Sequence, residues 1–95
     1  MREAEIERKL VRYCKELGML TYKFVSPNNR GVPDRIVLHG GRVLFVELKQ
    51  QGNKPTALQM YEMSRIQSCG LRAVWTDSWE ETRKLLTKFY AGNES

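Results

Sequence analysis

The sequence predicts an α/β domain whose elements run in the order αβββαβα. Three observations carry that reading. Ile6, Leu10, Tyr13, Cys14 and Leu17 recur at helical spacing near the start. Gly40-Gly41 is a two-residue hairpin signal between the apolar runs Ile36–Leu38 and Val43–Val46. Thr56 with Gln59, and Ser78 with Glu81, have capping-box spacing on either side of a short apolar run.

Taken in order, Glu3 to Leu17 is an amphipathic helix stopped by Gly18. Leu20–Val25 alternates, with Leu20, Tyr22 and Phe24 on one side and Thr21 and Lys23 on the other, which predicts a half-buried strand. Ser26 to Pro33 is a loop by its turn residues. The hairpin strands are Asp34–Leu38 and Val43–Lys49, the second apolar on both faces and therefore central in the sheet. Gln50–Pro55 leads to a helix opened at Thr56 and ending near Gly70. Arg72–Thr76 is a strand, and a last helix runs from Ser78 to about Tyr90. Ala91–Ser95 is expected to fray. Without internal repeat or linker, residues 1–95 read as one domain.

Lys and Arg outnumber Asp and Glu by 16 to 11, a formal charge of +5 that favours polyanionic partners. The bias is local: Lys23, Arg30, Arg35, Arg42, Lys49 and Lys54 surround two isolated acids, whereas the chain from Glu62 onward is charge-balanced. Cys14 and Cys69 lack metal-ligand spacing and read as buried, reduced thiols. The charged stretch Met1–Lys9 does not resemble a signal peptide, and no apolar run approaches membrane-spanning length, so the expected setting is the cytoplasm.

Between Glu16 and Glu62 the only carboxylates are Asp34 and Glu47. If His39 and Arg42 close the turn, antiparallel partners have numbers summing to 81, which sets Asp34 against Glu47. Like charges across a ladder repel at about 5 Å between Cβ atoms, unless a cation sits between them. Glu47 also interrupts the most apolar strand, where an unpaired charge costs several kcal/mol. An internal Glu47–Lys49 pair is the structural alternative, and buried pairs of that kind add little net stability. Lys49 projects from the face that holds Glu47. Two carboxylates and an amine suit a Mg2+ or Mn2+ site acting on phosphates, with the Leu48 backbone carbonyl a further candidate ligand. Lys49 would hold an attacking water or neutralise charge on the phosphate.

A third acid is expected from the first helix. At 100° per residue Glu3 and Glu7 both lie on or beside the apolar face, and periodicity does not choose between them. Acids early in a helix also have an ordinary role against the helix dipole. Gln59 is accounted for by its capping box, although its helix starts soon after Lys49. His39, at the turn, reads as a solvent-exposed residue remote from the acids. Trp75, Trp79, Phe89 and Tyr90 read as packing for the last strand and helix.

Gly31-Val32-Pro33-Asp34, then Glu47-Leu48-Lys49, then Gln59 at a helix start resembles the PD-(D/E)XK nuclease superfamily, and within it the stand-alone form of the VRR-NUC (virus-type replication-repair nuclease) family. The resemblance covers nearly the whole chain. It implies a restriction-endonuclease-like αβββαβ core with a mixed central sheet flanked by helices, plus a C-terminal helix. It also implies metal ligation by Asp34 and Glu47, a hydrolytic role for Lys49 and a supporting one for Gln59. Glu7-Arg8-Lys9-Leu10 through Gly18 is similar to archaeal Holliday junction resolvases and favours Glu7 as the helix acid, while some family members have it nearer Glu3. The helical insertions of large eukaryotic relatives are missing, so their flap-processing activity is not implied.

The expectation is therefore a Mg2+- or Mn2+-dependent endonuclease of branched DNA, chiefly four-way junctions, working as a homodimer so that two strands are cut. Lys23, Arg30, Arg42 and Lys54 are its candidate phosphate contacts. Cleavage of flaps, nicked duplex or RNA is one alternative, a non-catalytic nucleic-acid-binding module another, and an interaction domain of a replication complex a third.

Overall fold

The computed structural model describes residues 1–92. Its elements are α1 (Glu3–Leu17), β1 (Leu20–Lys23), β2 (Arg35–His39), β3 (Arg42–Leu48), α2 (Ala57–Ser68), β4 (Arg72–Thr76) and α3 (Trp79–Ala91). The strands form one sheet in the order β1-β2-β3-β4. The first two pairings are antiparallel and β3–β4 is parallel, with α2 as the crossover that a parallel pair requires. This is a mixed sheet with flanking helices.

Gly40 and Gly41 both take positive φ, the backbone a tight two-residue turn demands. The β2–β3 register follows: Leu38 faces Val43 and Ile36 faces Phe45. Strand alternation sends Val37, Leu44, Val46 and Leu48 into the core with Ile6, Leu10 and Cys14 of α1 and Leu86 and Phe89 of α3. Tyr13 joins the two helices through a hydroxyl contact of 2.7 Å to Thr87 Oγ1 and an edge-on ring contact with Trp79. On the opposite sheet face α2 lies along β4, where Gln67 Nε2 donates to the Ala73 carbonyl. Thr56 and Gln59 form a complete capping box at the start of α2. At α3 the Ser78 hydroxyl accepts from the Glu81 N–H.

Several expectations change. β1 ends at Lys23 rather than Val25, and its apolar side faces outward: Leu20 is 57% and Tyr22 56% exposed. β1 is an edge strand, and Leu20 and Tyr22 pair with Leu38 and Ile36 on the face away from α1 and α3, beyond the reach of α2. Cys14 is buried, but Cys69 is exposed, because it is the C-cap of α2 and lies past the helix face that packs. The last helix continues to Ala91 and is capped by Gly92; the rest of the expected frayed tail, residues 93–95, lies outside the described residues. Among the described residues no helix is long and apolar enough to cross a membrane.

Candidate metal centre

The hairpin carries Asp34 to the end of the sheet. Asp34 stands one residue ahead of β2, with its carbonyl accepting from the Phe24 N–H at 2.9 Å. Its Oδ2 accepts from the Leu48 N–H at 2.8 Å, which locks the side chain against the end of β3 beside Glu47. Pro33 is buried, and Gly31 takes φ +89° where the loop meets α2. A Cβ at Gly31 would lie 2.9 Å from Leu58 Cγ and 3.3 Å from the Gln59 backbone nitrogen. Glycine is thus required for the loop to approach α2 and deliver Asp34.

Glu3, the first residue of α1, supplies the third carboxylate. One oxygen each from Glu3, Asp34 and Glu47 lie within 4.8 Å of one another. Glu47 is only 1% exposed. Its Oε2 is 3.2 Å from Lys49 Nζ, so the anticipated internal ion pair exists. That pair uses one oxygen. Glu47 Oε1 is buried with no hydrogen-bond partner, the single such side-chain atom among the described residues. A buried carboxylate oxygen left without a donor costs on the order of 1–3 kcal/mol or more, and a cation among the three acids would remove that cost. The donor set, all carboxylate oxygen, fits a hard divalent ion.

The electrostatics agree with the geometry. Burial, reinforced by Asp34, raises the Glu47 carboxyl from 4.5 to about 7, against the opposing pull of Lys49. Asp34 is raised by burial although the Leu48 N–H opposes the shift, and Glu3 by burial and then by Asp34. Three mutually repelling acids resist ionisation together until positive charge arrives.

Glu7, the helix acid favoured from the sequence, does not join this cluster. It lies one turn further along α1, where its Oε2 accepts from Arg35 Nε at 2.8 Å and is 3.9 Å from Lys23 Nζ. The reason is the strand alternation: Arg35 points to the helix-bearing face and draws the facing acid to itself. Arg35 shares parity with the core residue Val37, but which helix acid meets it depends on how α1 docks on the sheet.

The remaining candidates divide. Gln59 Oε1 accepts from the Thr56 N–H at 2.9 Å, so its side chain is engaged in the cap at the α2 start, beside Gly31. Leu48 meets Asp34 through its N–H rather than its carbonyl. Arg42 is at the other end of the hairpin, donating to the Phe89 carbonyl and stacking 4.7 Å from that ring; it braces the C-terminus of α3, away from the acids. His39 stacks on Tyr90 there, 4.8 Å between ring centroids. Lys23 borders the centre through Glu7, whereas Arg30 and Lys54 are exposed.

No protein-family model matches the sequence. A curated relative, "Putative nuclease p44" of Acyrthosiphon pisum secondary endosymbiont phage 1, is 46% identical over 79 residues, covering 82% of this chain and 85% of that protein. A solved VRR-NUC domain superposes with a TM-score of 0.83 at 28% identity, covering 93% of this chain and 97% of the other. A second, a VRR-NUC domain protein, gives 0.79 at 16% identity over 100% and 92% of the two chains. The Holliday junction resolvase Hjc of Archaeoglobus fulgidus shares the fold at 0.52 and 21% identity, over 73% of this chain and 65% of that one. With that similarity in sequence and fold, and the order of elements and acids described above, the chain belongs to the VRR-NUC family.

Proposed function

We propose that this protein is a divalent-metal-dependent endonuclease that hydrolyses phosphodiesters of branched DNA, with the four-way junction as its substrate. The observation that carries the nuclease reading is the trio Glu3, Asp34 and Glu47, with Glu47 Oε1 buried and unsatisfied beside Lys49. The name of the phage relative and the VRR-NUC structures support it. The fold shared with the archaeal resolvase favours the junction.

Glu3, Asp34 and Glu47 would hold Mg2+ or Mn2+, with the Leu48 carbonyl as a fourth ligand; the ion would supply charge neutralisation at the phosphate and acidify water. The Leu48 N–H holds the Asp34 carboxylate at the end of β3. Lys49, 15% exposed and held by Glu47, presents an ammonium that orients the attacking water or neutralises a phosphate oxygen. Gln59 supports the loop that carries Asp34. Two cuts require two chains, so the protein works as a homodimer. The cytoplasm is its setting.

Cleavage of a four-way junction, a flap and a linear duplex by wild type and Lys49→Ala, with Mg2+ and with chelator, tests the reading. The expected result is metal-dependent cutting of the junction that Lys49→Ala reduces by about 10²-fold or more. Equal cutting of all three substrates refutes junction selectivity. Equal cutting by wild type and variant refutes the role of Lys49.

A further inference from the structure

A groove runs along α1 opposite Lys23 of β1 and Arg35 of β2, and none of the three clustered acids Glu3, Asp34 and Glu47 lines it. Arg8, Arg12 and Lys15 line it from α1, and Lys23 and Arg35 from the strands. The spacing 8, 12, 15 sets the three helix cations on one stripe, about 10 Å long at 1.5 Å per residue. Elsewhere, several helix cations are paired with neighbours, Arg65 with Glu62 and both Arg83 and Lys84 with Glu80. Among the described residues Arg8, Arg12 and Lys15 have no such ion pair. Like charges at i, i+3 and i, i+4 weaken a helix by a few tenths of a kcal/mol each, so the stripe works against α1 unless an anion offsets it. Two acids line the groove near this stripe's inner end: Glu7 is paired with Arg35 and Lys23, and Glu5 accepts from the Arg2 N–H at the start of α1.

We infer that this groove is the track for a run of DNA backbone phosphates leading away from the metal centre, with Arg8, Arg12 and Lys15 as the contacts. The inference rests on the nuclease reading and extends it to the path of the substrate. A strand of duplex DNA advances 3.4 Å per phosphate along its axis while also winding around it, so neighbouring phosphates are further apart than this and a 10 Å stripe reaches about two of them. Lys23, across the groove and 3.9 Å from Glu7, continues the positive line toward Glu3 and Asp34. Such contacts set position and register without reading bases.

The test measures binding of a fluorescent four-way junction by anisotropy in chelator, so that no cutting occurs, for three proteins. These are wild type, Arg12→Ala with Lys15→Ala, and a control with the same charge loss on α3, Arg83→Ala with Lys84→Ala. The α1 pair should weaken binding on the order of tenfold and lower the slope of log K against log salt by about two. The α3 pair should change Kd less than twofold. All four positions are exposed or half-exposed, and thermal melts confirm that folding is retained. Equal losses from both pairs, or no loss from the α1 pair, overturn the track. Binding that depends on the α1 pair in a protein that cuts no DNA would sink the nuclease reading while leaving the track standing.

Discussion

Replacing Glu47 by glutamine should remove most of the pH dependence of stability in the metal-free protein. Glutamine keeps the size of the side chain and an oxygen that can accept from Lys49, but it cannot ionise. In wild type the carboxyl titrates near 7 when folded against 4.5 when unfolded. The folded state therefore holds this proton more tightly, and the stabilisation is complete below about 4.5 and lost as pH rises through about 7. The shift corresponds to about 3 kcal/mol, or a fall in Tm on the order of 15 °C for a chain of this size. Melts in chelator between pH 4.5 and 8 should show that fall in wild type and a much flatter curve in Glu47→Gln. At pH 8, Mg2+ at 100 times its Kd should restore about 2.7 kcal/mol to wild type and less to the variant. Parallel curves for the two proteins without metal would refute the claim that a strained carboxylate cluster awaits a cation.

Glu3→Gln should weaken Mn2+ binding, read by calorimetry, at least tenfold, whereas Glu7→Gln should leave it within about threefold and instead cost about 1 kcal/mol of stability by freeing Arg35. The reverse order would return the metal role to Glu7. Gly31→Ala forces a side chain into φ +89° and against Leu58, so urea unfolding should show a loss of about 1–3 kcal/mol. Arg42→Ala should cost about 1–2 kcal/mol by removing the charged donor to the Phe89 carbonyl, which keeps the Gly92 N–H, and the stack on that ring, with junction affinity unchanged; a large loss of affinity would make Arg42 a DNA contact after all.

The features that local chemistry decides could be read from the sequence. Gly40-Gly41 set the register that pairs Arg35 with Val46, one step short of Asp34 and Glu47, and Gly18 ends α1 through bonds to Cys14 and Lys15. What depended on packing could not. Glu3 and Glu7 straddle the same helix face, and only the docking of α1 on the sheet hands Glu7 to Arg35. The alternation of Leu20 and Tyr22 was correctly seen, but which side of an edge strand meets the helices is a property of the whole sheet. Arg42 looked like any basic residue near a turn because its partner, the carbonyl of Phe89, is distant in the chain and is a backbone atom. Cys69 followed the apolar pattern up to the residue where α2 stops.

The tight bend at Gly40-Gly41 acts as a gauge for catalytic alignment some distance away. Because side chains alternate every residue along a strand, an amino acid inserted beside that bend, with the two-residue turn re-formed and one arm slid by a single position, would swap inward and outward positions on that arm. Asp34 would then point at the helices while Glu47 stayed where it is. Insertions here should be far less tolerated than in the loop at Gln50–Pro55, although neither segment touches the other's chemistry.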